Sequence, residues 1–171
     1  MKPTVSTIDV PLQSRLRNEV AGAYFHDCYE VSVNTEGQSA MALYLTVVSR
    51  TPAWVNTLMA LRNRAVSVVG LKNLGHLGAL DRAKQASDYR VGDRVGIFSL
   101  LSVTEDEVVL GDSDKHLNVK VSVCKVAHDA HTSVAVSTVV NVHNTLGKVY
   151  MLFVAPVHRL IAPAMLARAT R

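Results

Sequence analysis

Two hydrophobic periods run along the chain, one of two residues and one of three to four. From residue 27 the apolar Tyr29, Val31 and Val33 alternate with Cys28, Glu30 and Ser32, the repeat of a strand with one buried face. Asn34-Thr35-Glu36-Gly37 interrupts it, and Ser39 stands where its hydroxyl accepts from an otherwise unpaired amide of a following helix. Ala40, Leu43, Tyr44, Val47 and Val48 then recur at helical spacing, up to the point where Pro52 excludes the preceding residue from helical geometry. Thr51 is placed to cap a second helix. Pro52 suits its first position, and the helix runs through Trp54, Val55, Leu58, Met59, Arg62, Ala65, Val66 and Val69 to Gly70. Residues 71–88, with Gly75, Gly78, Asp81, Arg82 and Lys84, read as a long loop with one helical turn.

The two-residue period then returns. Val95, Ile97, Leu101 and Val103 are expected to share one strand face. Thr104-Glu105-Asp106 makes a turn, and Val108 and Leu110 mark the next strand before Gly111-Asp112-Ser113-Asp114. Leu117, Val119, Val121 and Val123 alternate with His116, Asn118, Lys120, Ser122 and Cys124. After a turn at 127–130, Thr132, Val134, Val136, Thr138, Val140 and Val142 alternate with Ser133, Ala135, Ser137 and Asn141. Short turns leave no room for parallel crossovers, so these strands form an antiparallel meander with one wet face.

The apolar face needs a lid, and Leu146, Tyr150, Phe153, Val157, Leu160, Ile161 and Ala164 supply one along a final helix. Burial of each is worth roughly 1.5–3 kcal/mol, which outweighs the ~3 kcal/mol cost of the internal Pro156. That proline frees the carbonyl of Leu152, predicting a kink and a pocket near Tyr150 and Val157. The expected fold is α+β and helix-grip (START-like, Bet v 1-like): a strand, two short helices, and an antiparallel meander sheet wrapped around a long C-terminal helix kinked at Pro156. Residues 1–23, with Pro3 and Pro11 and no sustained period, form an extended N-terminal arm with one short helical turn; residues 24–171 form a single helix-grip domain.

Composition narrows the class. The 171 residues are 49% hydrophobic and 19% charged, which excludes a disordered or collagen-like chain and leaves room for one domain. Cys28 and Cys124 have neither zinc-knuckle nor disulfide-scaffold spacing, and no apolar run follows Lys2, so the expected location is the cytoplasm. The segment 149–166 holds Pro156, His158, Arg159 and Pro163, short of the ~18 uncharged apolar residues of a membrane span, and reads as a buried helix. The net charge of +4 is spread over the chain and aromatic residues make up only 5%, so no stacking and phosphate-binding surface for nucleic acid is indicated.

Signature chemistry is sparse. Gly70 and Gly75 have phosphate-loop spacing, but His76 and Leu77 follow where Lys and Ser or Thr are needed. Neither Gly-x-Gly-x-x-Gly after a strand nor Gly-x-Ser-x-Gly occurs. His128, His131 and Asp129 fall on a hairpin turn, and His26 with Cys28 cannot close a tetrahedral site, so neither a metal nor a cofactor is expected. Tyr44, Trp54 and Phe98 have core-like spacing. The polar group of interest is Asp112, Asp114, Lys115 and His116, with His143 and Asn144 entering the final helix and His158 and Arg159 beyond its proline. A carboxylate fixes an imidazole's tautomer, which makes Asp114, His143 and His158 the candidate catalytic residues. The competing reading has Asp114 and Asn144 as caps, with His158 and Arg159 tied to carbonyls released by Pro156. His116 is out of phase with Leu117 and belongs on the wet face.

Pro52-Ala53-Trp54-Val55, Leu61-Arg62-Asn63-Arg64, Gly70-Leu71-Lys72, Val91-Gly92-Asp93-Arg94-Val95-Gly96-Ile97-Phe98, Glu107-Val108-Val109-Leu110-Gly111, Asp114-Lys115-His116-Leu117, Thr138-Val139-Val140, His143-Asn144-Thr145-Leu146-Gly147 and Pro156-Val157-His158-Arg159 resemble, in that order, the bacterial domain of unknown function family 2867. Some relatives look like a tail on a short-chain-dehydrogenase-like NAD-binding domain, and no such domain is expected within these residues. The expected function is to hold a small apolar or amphipathic molecule between sheet and final helix, against Val119, Val121, Val136, Thr138, Tyr150, Phe153 and Val157. The alternatives are acid–base chemistry on a carbonyl substrate, using Asp114, His143 and Tyr150 or His158, and an accessory or interaction domain for an NAD-binding oxidoreductase. The expected partner is that small molecule, with neither nucleic acid nor a membrane span.

Overall fold

A computed structural model describes residues 4–33, 35, 37–68, 75, 77–81, 83–129 and 131–169. The strands are β1 (Val5–Thr7), β2 (Phe25–Ser32), β3 (Arg94–Val95), β4 (Phe98–Val103), β5 (Glu107–Ser113), β6 (Leu117–Ala127) and β7 (Thr132–Val142). The helices are α1 (Ala40–Ser49), α2 (Ala53–Val68) and α3 (Thr145–Ala169), with 3-10 turns at Arg17–Gly22 and Ala86–Asp88. The expected helix end at Gly70 and the glycine pair Gly70/Gly75 reach outside the described residues, as do His76 and Arg82.

All pairings are antiparallel, in the order β1-β2-β7-β6-β5-β4-β3. The meander runs from β3 to β7, and the early strand β2 returns to pair with the last. The α1–α2 segment and α3 complete an α+β helix-grip fold, α3 packing on β2, β7 and α1. Ser39 caps α1 by accepting from the Ala42 amide at 3.2 Å. Thr51 departs from expectation: its hydroxyl donates to the Val48 carbonyl at 2.6 Å and closes α1 instead of opening α2.

The strand from Val95 to Val103 is not one strand. Gly96, at φ +63°, turns β3 into β4, and a Cβ there would lie 2.5 Å from the Leu77 carbonyl oxygen, so only glycine fits. A register shift between Leu100 and Ser102 then changes the phase. Val95, Ile97, Phe98 and Leu100 are buried, while Leu101 and Val103 face solvent.

Nor is the second sheet face simply wet. β1 pairs with β2, and the arm lays Val10 and Leu16 on Cys28, Val109, Ala135 and Val139, the residues pointing away from α3. Glu107, buried under the arm, accepts from the Ser14 and Ser122 hydroxyls, each at 2.6 Å, and from the Arg15 amide at 3.1 Å. A buried carboxylate with this many donors is tolerated because each hydrogen bond replaces one lost from water.

α3 continues through Pro156 and Pro163, and its inward face is not the expected one. Gly147, Met151, Met165 and Leu166 are buried, whereas Phe153 and Leu160 are 72% and 67% exposed. Only 17% of its most apolar window is buried, so 149–166 is not a wholly buried helix. Its length and mean hydropathy of 1.6 match those of a membrane-crossing helix, a test that a helix gripped by a sheet also passes.

Candidate functional site

Strand alternation puts Tyr29 and Val31, Val121 and Val123, and Val136 and Thr138 on the side facing the helices. One row across the sheet, set by register, reads Asp27, Thr138, Val121, Leu110. A cleft of about 520 Å³ opens between α1, α2, α3 and the sheet. Ligand sites span roughly 300–1,000 Å³, so the space suits one small molecule.

Of the expected lining residues, Val121, Val136, Thr138, Tyr150, Phe153 and Val157 lie on the cleft wall. Val119 does not; it packs beside Val140 and Met151, nearer the start of α3. Walls that periodicity did not anticipate come from α2, through Leu58, Met59, Leu61 and Arg62. Leu61 and Phe153 are exposed as well as lining, which places the mouth between α2 and α3. Arg62 spans this gap: its Nε donates to the Tyr150 hydroxyl at 3.0 Å, and its guanidinium lies 5.4 Å from the centre of that ring.

The three candidate catalytic residues do not converge. Asp114 Oδ1 accepts from the amides of His116 and Leu117 at 2.6 and 3.0 Å and so closes the β5–β6 turn. His143 is exposed. Asn144 caps α3, accepting from the Gly147 amide at 3.1 Å, and its Nδ2 donates to the Lys115 carbonyl at 3.1 Å. His116 is buried against Asn144, not on a wet face, because the helix start folds over the turn. A Cβ at Gly147 would come within 2.5 Å of the His116 carbonyl oxygen.

His158 alone among the three reaches the cleft, and its partner is Asp27, at 2.8 Å from Nδ1. Asp27 is 8% exposed, and its Oδ1 has no hydrogen bond. The ring stands edge-on to Phe25, whose own face lies 5.6 Å from the Arg159 guanidinium. Arg159 thus packs on an aromatic ring, and His158 meets a carboxylate, where backbone carbonyls were expected. Asp27 carried a readable signal: it is in phase with Tyr29 and Val31, so a charge was due on a buried face.

The histidines of the β6–β7 turn belong to a surface network. His128 Nε2 lies 2.8 Å from Glu30 and 2.9 Å from the Ser133 hydroxyl, with His131 stacked on its ring, while Ser133 also bonds Glu30. Burial works to raise the Glu30 carboxyl, but the bonds from Ser133 and His128 prevail and hold it below its usual range. Among the described residues, no three or more His, Cys, Asp or Glu side chains are grouped to hold a metal ion.

Fold and cleft together define an α+β helix-grip protein with a space between its helices and its sheet. The chain belongs to the family described as Protein of unknown function (DUF2867), whose sequence profile matches residues 20–165. No curated protein and no solved structure matches it.

Proposed function

We propose that this protein binds a small apolar or amphipathic molecule in the cleft between sheet and helices. The observation that carries this reading is the space of about 520 Å³ itself, walled largely by valine, leucine and methionine, with Thr138, Tyr150, Arg62 and His158 as polar points on its surface. Apolar walls supply affinity by releasing water, and a few polar groups orient the ligand. The thiols of Cys28 and Cys124 are free, which accords with the cytoplasmic setting of this reading.

The test uses 11-(dansylamino)undecanoic acid, a fluorescent single-chain amphiphile. Wild-type protein binds it at one site with enhanced emission, and oleate displaces it. Val136→Trp and Val157→Trp put an indole into the cleft and weaken binding at least about tenfold, with unchanged far-ultraviolet circular dichroism. Absence of wild-type binding, or binding indifferent to both substitutions in folded protein, overturns the proposal.

A further inference from the structure

All 14 carboxylates of the chain lie in residues 1–36 and 81–129. The segments forming α1, α2 and α3 hold none; the charges on and between these helices are Arg50, Arg62, Arg64, Lys148, Arg159 and Arg168. Negative charge is thus confined to arm, strands and loops, and the only charges in the helical layer are cationic. The same layer exposes apolar surface. On α3, Val149, Leu152, Phe153, Pro156 and Leu160 recur at three- and four-residue steps as one stripe, with Leu152 68% and Phe153 72% exposed. Lys148, one turn before Leu152, and Arg159, one turn after Pro156, border it. Across the cleft mouth, α2 exposes Leu61.

An apolar helical stripe edged by cations, in a layer without anions, has the chemistry of an interfacial helix: apolar side chains enter the acyl boundary and basic ones meet anionic headgroups. A second copy meeting this face through a two-fold axis would instead set cation against cation. We propose that the helical layer docks peripherally on an anionic lipid surface, with the α3 stripe in the interface and the cleft mouth turned toward the bilayer. This rests on the cleft reading for its consequence: the bound molecule is a single-chain amphiphile taken from the membrane, its anionic head beside Arg62. The protein docks without crossing, because the opposite face of α3 is committed to the fold: Met151 packs on Phe25 and Val140, His158 meets Asp27, and Leu166 is buried in the core.

Co-sedimentation with lipid vesicles tests the docking. Vesicles of equal parts phosphatidylglycerol and phosphatidylcholine retain the protein; pure phosphatidylcholine, or about 0.5 M salt, weakens binding at least about tenfold. Leu152→Ser/Leu160→Ser abolishes retention, and Lys148→Glu/Arg168→Glu removes the preference for anionic vesicles. None of these four residues lines the cleft, so both variants keep the dansyl amphiphile affinity and confirm that the fold is intact. Equal binding to both vesicle types overturns the proposal, as does retention that survives Leu152→Ser/Leu160→Ser. A wild-type dimer in light scattering that the same variant dissociates also overturns it, by assigning the stripe to a second copy. Amphiphile binding without vesicle binding sinks the docking alone, and vesicle binding without amphiphile binding sinks the cleft reading alone.

Discussion

Asp27 and His158 meet across 131 residues of chain, and each supplies what the other lacks. The carboxylate is almost wholly buried with one oxygen unpartnered, so the imidazole is its main compensation for lost hydration. Leaving a buried acceptor without its donor costs ~1–3 kcal/mol, and more for a carboxylate. We therefore expect His158→Leu to destabilise the protein by about 3 kcal/mol in urea unfolding, and Asp27→Val/His158→Leu to recover most of that loss. A double variant no more stable than the single one would show that packing, not the stranded carboxylate, sets the cost. Strand phase alone assigns Asp27 to the inner face. Its partner is not legible locally, because the contact exists only once α3 lies on β2.

The elements were legible in kind and often misread in orientation. Alternation in β6 and β7 is strict, and the faces follow because a period of two does not drift. Periodicity on α3 picked the side of Phe153 and Leu160, which is exposed, because apolar residues surround much of the helix and contact with β2, β7 and α1 decides which are covered. The arm shows the same limit: without a period of its own, it takes its structure from what it covers. Its lock is Glu107, whose loss in Glu107→Ala leaves the Ser14 and Ser122 hydroxyls and the Arg15 amide without their acceptor. Stranding buried donors costs about 2 kcal/mol, so tryptic cleavage after Arg15 should accelerate roughly thirtyfold if the arm opens locally. Cleavage at the wild-type rate would mean that the apolar contacts of Val10 and Leu16 hold the arm unaided.

At the scale of the whole molecule, burial between arm and sheet governs behaviour with pH. It pushes the Cys28 thiol up to about 11, against a smaller opposing effect of the Ser137 hydroxyl, and Cys124 up to about 12. In the unfolded chain these thiols ionise near pH 8.5. The stability they contribute is therefore full below that pH and is lost as pH rises through 11 to 12. Glu30, held low, acts at the other end: its contribution is present above about pH 4.3, the unfolded value, and disappears as pH falls through its folded value. Thermal unfolding across pH should show an alkaline decline above pH ~9 that Cys28→Ala/Cys124→Ala flattens. An unchanged decline would assign it to other groups.

The amino-acid order by itself determined the kinds and order of the elements, from which the helix-grip fold was expected, the cap at Ser39, and the alternation behind most of the sheet wall of the cleft, because each element follows from forces acting within a few residues. Tertiary structure decided which side of α3 turns inward, that α2 completes the cleft, that Asp27 meets His158, and that the arm covers the second sheet face. Those outcomes depend on which distant surfaces exclude water from one another, and no local period encodes that choice.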